Sequence, residues 1–227
     1  MGYPTMDQHH DPDDIQASRA LLSMSINKVR ELIGDYLRSL PASHARIVER
    51  VVHATADPEF AKLVVISNGA VESGIKAIRA GAKVVTDVKM VKAGLREVRL
   101  RRFGGRVECY VDDERAIKVA REEGITRTAA AMRVAVEMGL NGAIVLIGIS
   151  PSATLELVSA IKRGKAKPAL IVATPVGFIG ARESKEEVMK LPIPYIVVTG
   201  SKGGSPVAVA IFNALLTLAE EGMEGFT

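Results

Sequence analysis

The hydrophobic positions of this chain alternate between two patterns. "KLVVIS" (62–67), "AKVVTDV" (82–88), "GAIVLIGIS" (142–150), "PALIVATPV" (168–176) and "YIVVTG" (195–200) are short β-branched runs bounded by Gly, Pro or Ser. Near-continuous apolar runs of this length predict strands buried on both faces, as in a parallel sheet. Between and after them apolar residues recur every three or four positions, in "GAVESGIKAIRA", "DERAIKVAREE", "RTAAAMRVAVEM", "SATLELVSAIKR" and "SPVAVAIFNALLTLAEE". That spacing predicts helices with one face turned to a core. Repeated strand–helix units call for a doubly wound α/β fold, a parallel sheet with helices on both faces. The first 55 or so residues read instead as helices packed onto that unit. Within "ASHARIVERVVHA", Ile47, Val48, Val51 and Val52 predict an amphipathic helix that opens near Ser43 and carries His53 in its last turns. Further on, "EVRLRR" and "RVECYV" flank "FGGR" and read as a hairpin with its arginines on the solvated face. No repeat, low-complexity tract or Pro/Gly-rich linker divides the chain. A polar, acidic tail over residues 1–13, expected to be disordered, therefore precedes one domain over residues 14–227.

Composition excludes several classes. Of 227 residues, 48% are hydrophobic and 25% charged, an ordinary globular balance with enough chain for a sizeable core. Cys109 is the only cysteine, which rules out disulfides within the chain and cysteine-rich zinc sites. The opening "MGYPTMDQHHDPDD" lacks the apolar stretch of a secretion signal, and no apolar run is long enough to cross a bilayer. A soluble, cytoplasmic protein without a membrane partner is expected. The net charge of +4 mildly favours anionic partners. Arg96, Arg99, Arg101, Arg102 and Arg106 crowd one segment, but Trp is absent and aromatics are 4%, so stacking platforms for nucleic acid are scarce. No nucleic-acid partner is expected, and a small polyanion stays open.

Ligands of such sheets sit beyond the carboxyl ends of the strands. Four segments there run from a strand through Gly, Ser or Pro into a helix: "ISNGAVESG", "IGISPSATLE", "ATPVGFIGARESKEE" and "TGSKGGSPVA". Backbone N–H groups at such turns favour anions. None carries a nucleotide-phosphate fingerprint, and no G-x-S-x-G hydrolase elbow occurs. "TGSKGGS" suits a phosphate or carboxylate cradle and suits a plain tight turn equally. His9 and His10 lie in the tail, and His44 and His53 lack closely spaced ligand partners, so no metal site is expected. On the helix alone, His53 reads either as a buried histidine bonded to a backbone carbonyl or as an acid–base group.

The segments "VVHATADPEF", "SNGAVESGIKAIRAGAKVVTDVKMVKAGL", "ITRTAAAMRV", "ISPSATLELVSAIKRGKAKPALIVATPVGFIGARESKEEV" and "VVTGSKGGSPVAVAIFNALL" follow one another in this order. Together they resemble the precorrin-8X methylmutase family of cobalamin biosynthesis, from about residue 15 to about residue 217. The resemblance implies a flavodoxin-like α/β homodimer with active sites at the subunit interface. It implies an isomerase, needing no cofactor, that moves a methyl group from carbon 11 to carbon 12 of a contracted tetrapyrrole. The substrate would be precorrin-8X or, in the cobalt-early route, cobalt-precorrin-8. A corrinoid-binding carrier on the same scaffold is the alternative.

The resemblance also implies roles for individual residues. His53 falls on the family's proton donor and acceptor, a task that suits imidazole because its pKa lies near neutrality. Arg127, after Thr126 in "ITRTAAA", would clamp a propionate or acetate bidentately. Gly177 and Phe178 in "PVGF", with Gly180 beyond, would let backbone approach the ring. Lys202, Gly203, Gly204 and Ser205 match the last loop, where this chain has Ser201 and Lys202 in place of a frequent family arginine. Asp87 and Met90 in "TDVKMV" match a family segment, where a merely structural role is open. A substrate-binding serine some two dozen residues before the histidine is matched in spacing by Ser25, with Ser23 and Ser18 as competitors.

Overall fold

A computed structural model describes residues 12–221, with side chains from residue 20 onward. The expected tail lies outside the described residues, apart from residues 12 and 13 at the start of the first helix, and so do His9 and His10. The first elements are α1 (Pro12–Arg38), α2 (Ala42–Thr55), α3 (Phe60–Leu63), β1 (Val64–Ile66), α4 (Ala70–Arg79), β2 (Lys83–Thr86), α5 (Lys89–Gly94), α6 (Glu97–Arg101) and β3 (Arg106–Cys109). There follow α7 (Glu114–Glu123), α8 (Arg127–Glu137), β4 (Ile144–Ile147), α9 (Pro151–Lys162), β5 (Leu170–Ala173), α10 (Ala181–Met189), β6 (Tyr195–Val198) and α11 (Ser205–Glu221).

Six strands form one sheet in the order β1-β6-β5-β4-β2-β3. From β3 to β6 the pairs are all parallel. This is the doubly wound, flavodoxin-like order, with its reversal between β2 and β4. The period-two alternation of strands then divides the core between the two faces. Val84, Ile144, Leu146, Leu170, Val172, Ile196 and Val198 pack on the side of α1, α2, α4 and α11. Their neighbours Val85, Val145, Ile147, Ile171, Ala173 and Val197 pack on the side of α8, α9 and α10. The N-terminal helices are therefore part of one layer: Ile47, Val48, Val51 and Val52 of α2 are at most 1% exposed against the sheet-side core.

Two expectations are corrected. "KLVVIS" forms an edge strand antiparallel to β6, with Val64 opposite Val198 and Ile66 opposite Ile196. Among the described residues no strand precedes β1, so no crossover from an earlier strand fixes its direction, and its pairing with β6 at the sheet edge is antiparallel. The hairpin around "FGGR" is also absent, because "EVRLR" is the short helix α6. A strand would place Val98 and Leu100 on one face, yet Val98 is 74% exposed and Leu100 fully buried. Gly104 and Gly105 end that helix, their N–H groups donating to Arg101 O (2.9 Å) and Leu100 O (3.3 Å). Arg99 is anchored by two donations to Glu220 of α11.

Candidate active site

The last turn of α2 presents His53, half-buried, toward α1. Its Nδ1 lies 2.9 Å from the Oγ of Ser25 on α1. Of the three serines considered, Ser25 is thus the one that meets the histidine; Ser23 is exposed, and the side chain of Ser18 is outside the described residues. With Nδ1 engaged, Nε2 has no protein partner among the described residues. Burial first, and then the guanidinium of Arg50 one turn earlier, hold the imidazole below its ordinary pKa, while Glu49 opposes them. The structure therefore favours a neutral His53 in the absence of ligand. Arg50 and Arg96 face a neighbouring groove of about 400 Å³, also lined by Ile26, Arg30 and Asn213.

The polar run after His53 builds a turn. Ala56 ends α2 in the left-handed region (φ 52), and Asp57 accepts from the N–H of Glu59 at 2.9 Å. Asp57 and Glu59 then take the ammonium of Lys202 at 2.5 and 2.8 Å, which also lies 5.7 Å from the Phe60 ring centre. The last glycine-rich loop is thereby drawn to the histidine's flank. Lys202 is committed to two carboxylates of its own chain, partners that the sequence reading did not assign.

That loop is joined to the one after β5. Thr174 O accepts from Gly204 N (2.7 Å), and Gly177 N donates to Ser201 O (3.0 Å). A Cβ on Gly203 would lie 2.1 Å from Thr174 O, so only glycine fits there. Below the seam Lys185, fully buried, donates to Pro175 O (2.8 Å) and Lys202 O (2.9 Å). Burial lowers its pKa to about 8. Beyond the seam Phe178 and Ile179 are 97% and 91% exposed. Ser205, by contrast, is 3% exposed, and its hydroxyl has no partner among the described residues.

Thr126 and Arg127 stand elsewhere on the same edge. Thr126 caps α8, accepting from Ala129 N at 3.2 Å, and its hydroxyl meets Ser152 at 2.6 Å. Ser152, Ser150 and Thr128 continue the hydroxyl cluster. Arg127 donates to Val111 O at 2.8 Å and to Asp112, just past β3. The loops after β6 and β3 are four strand intervals apart, about 19 Å at ordinary spacing. One subunit thus keeps its His53 and Arg127 clusters on opposite flanks.

Asp87 occupies the crevice between them, where the strand order reverses. It is 1% exposed and accepts from the N–H groups of Gly148, Ile149 and Ser150 at 3.0, 2.9 and 3.0 Å. Burial raises its pKa against those three bonds. The amides that would cradle a phosphate are taken by the chain's own carboxylate, which agrees with the missing nucleotide fingerprint. Asp87 welds β2 to the β4–α9 turn, and Met90 is exposed nearby in the sequence.

Comparison with known proteins decides the family. Residues 21–218 match the precorrin-8X methylmutase family. The chain belongs to that family. It is 44% identical to the cobalt-precorrin-8 methylmutase of Methanocaldococcus jannaschii, over 86% of this chain and 89% of that one. It is 36% identical to the precorrin-8X methylmutase of Pseudomonas aeruginosa, over 92% and 99%. The solved precorrin-8X methylmutase of Thermus thermophilus superposes with a TM-score of 0.82 at 41% identity, covering 90% of this chain and 97% of that one. This methylmutase-family chain is accordingly an isomerase of cobalamin biosynthesis. No described helix is long and apolar enough to cross a membrane. Among the described residues no three His, Cys, Asp or Glu side chains are grouped as metal ligands.

Proposed function

We propose that this isomerase, acting in the cytoplasm, moves a methyl group from carbon 11 to carbon 12 of precorrin-8X or cobalt-precorrin-8, giving hydrogenobyrinate or cobyrinate, with His53 as proton donor and acceptor. The observation that carries this reading is the half-buried imidazole whose Nδ1 is held at 2.9 Å by Ser25, with Nε2 unpartnered among the described residues. Methyl migration around a conjugated ring requires neither a nucleophile nor a redox agent. A proton delivered to the macrocycle redistributes its π-electrons, the carbon-11 bond to the methyl breaks as the carbon-12 bond forms, and the proton returns to His53. Seam glycines and exposed Phe178 offer a flat surface for the ring.

A donor must be charged, whereas burial and Arg50 depress the pKa of His53. Substrate carboxylates beside Arg50 offset its field and raise that pKa in the complex. The single-turnover rate is therefore expected to fall as pH rises through the complexed pKa. His53→Ala should fold and bind product, yet lose roughly 10²-fold or more in turnover. A His53→Ala protein that melts early but reacts at the parent rate would refute the role. Absorption of the precorrin-8 substrate before and after mixing distinguishes turnover from carriage, since migration changes the conjugated path.

The active unit in this reading is a homodimer. The separation of the His53 and Arg127 clusters supports it: a two-fold partner can bring Arg127 of the partner subunit to the substrate held at His53. Exposed Leu21 and Met24 on α1, and Phe178 and Ile179 beyond β5, supply apolar surface for the contact. Light scattering should give twice the 24.2 kDa chain mass; monomer alone at micromolar concentration would overturn the arrangement.

A further inference from the structure

We infer that Lys185 is a positioning residue for the substrate, joining the loops after β5 and β6 into one wall of the cleft and setting Gly177 in register with Gly203 and Gly204. The inference rests on the proposed reading that these loops face the tetrapyrrole. Lys185 belongs to the buried face of α10, beside Ala181, Ser184 and Val188. An apolar side chain would fill that place without the desolvation that a buried ammonium suffers. The lysine instead reaches out of the helix and divides its donors between two segments, Pro175 O at 2.8 Å and Lys202 O at 2.9 Å. No carboxylate pairs with it among the described residues.

What the lysine holds is otherwise a short seam. β5 and β6 cease to pair after Ala173 and Val197. Beyond that point the loops share only Gly204 N to Thr174 O (2.7 Å), Thr174 Oγ1 to Gly204 O (3.2 Å) and Gly177 N to Ser201 O (3.0 Å). Gly177, Gly203 and Gly204 all have positive φ (144°, 158° and 116°), so their own backbone preferences restrain the loops little. A lysine suits this task because several N–H donors radiate from one atom on a flexible stem. The carbonyls of Pro175 and Lys202 are pulled inward, and the glycine backbones between them are held as the outer surface. Lys185 does not touch the reacting carbons; its effect reaches the substrate through the two loops.

Lys185→Met and Gly203→Ala break the seam from opposite sides, the second because the added Cβ meets Thr174 O. Both proteins are compared with wild type, at a temperature where each is folded, by titration with the corrinoid product, by single turnover at saturating substrate and by amide hydrogen exchange. Product affinity should fall roughly tenfold or more in both, while in Lys185→Met the saturated rate stays within about threefold, because His53 is untouched. Exchange should accelerate at Gly177 and Gly204 and remain slow in β4. A folded Lys185→Met protein that binds product like wild type, with only its melting temperature lowered, would overturn the inference. So would unchanged exchange at Gly177 and Gly204. Should Lys185→Met fail to fold, Lys185→Gln, which shortens the stem and keeps donor N–H groups, is put through the same measurements and its product affinity decides. Wild-type protein that fails to bind the product would overturn the substrate reading and the positioning role that depends on it; exchange without ligand would still report whether Lys185 joins the loops.

Discussion

Asp87 and Lys185 both bring a buried charge to the carboxyl edge of the sheet, at 1% and 0% exposure, yet they are satisfied differently. Asp87 lies at the strand-order reversal and accepts from three successive amides of one turn. Gly148 within that turn has no room for a side chain, since a Cβ would lie 2.5 Å from Val91 and 2.9 Å from Ser205 Cα. Lys185 lies two strands away and donates to two carbonyls on separate loops, above which Phe178 and Ile179 are open to solvent. The first arrangement closes the crevice where doubly wound folds usually receive a ligand. The second stiffens a surface while leaving it accessible. Here the chain's own carboxylate occupies the phosphate position, and in the proposed reading the chemistry belongs to the flank where α2 delivers His53.

The comparison can be broken most directly at Asp87. Asp87→Ala should cost about 3–5 kcal/mol, because three buried N–H groups lose their acceptor together. For a chain of this size that is a fall of roughly 10–15 °C in melting temperature. A melting temperature within about 2 °C of wild type would show that Asp87 is not what closes the crevice.

A smaller effect sharpens the Lys185 side. Its pKa falls from 10.5 to about 8 on folding, so between those values the unfolded chain binds more protons than the native one. Stability attributable to this group therefore rises as pH increases through that window, by up to about 3 kcal/mol. The unfolding free energy of wild type minus that of Lys185→Met should become more positive from pH 8 toward pH 10. Measured by denaturant titration at several pH values, a constant gap would mean that the ammonium is not desolvated as its burial implies.

The same contrast explains what could be read before folding. The β-branched runs and the three-to-four spacing of the helices were legible because they state how much of each element is buried. Both patterns reappear in the alternate packing of Val84 and Val85, or of Ile171 and Val172, onto opposite faces. Misreadings arose where the local pattern fits two structures. "EVRLRR" alternates like a strand, but Arg99 binds Glu220, 121 residues away, and the segment is helical. "KLVVIS" holds the strand β1 over Val64–Ile66, while its direction appears only in its pairing with β6.

At the candidate site, the family resemblance pointed to His53 and, nearest in spacing among Ser18, Ser23 and Ser25, to Ser25; the fold sets the His53 and Ser25 side chains 2.9 Å apart. It also puts Ser205 inside the protein, gives Lys202 to Asp57 and Glu59, and gives Arg127 to Val111 and Asp112. Arg50 was visible in principle, one turn before His53 in "ERVVHA". Lys185 was not, because a lysine in "ESKEE" has the local appearance of a solvated helix face.

By itself the sequence determined the alternation of elements, the helix that carries His53 and the family to which the chain belongs. Those features depend on side-chain type and spacing over short stretches, or on segments recurring in order. Tertiary structure alone decided that β1 runs antiparallel, that Asp87 seals the reversal point, that Lys185 links two loops, and that the His53 and Arg127 clusters lie on opposite flanks. Each of these is a contact between residues far apart along the chain, whose bonds and desolvation exist only once the sheet has brought them together.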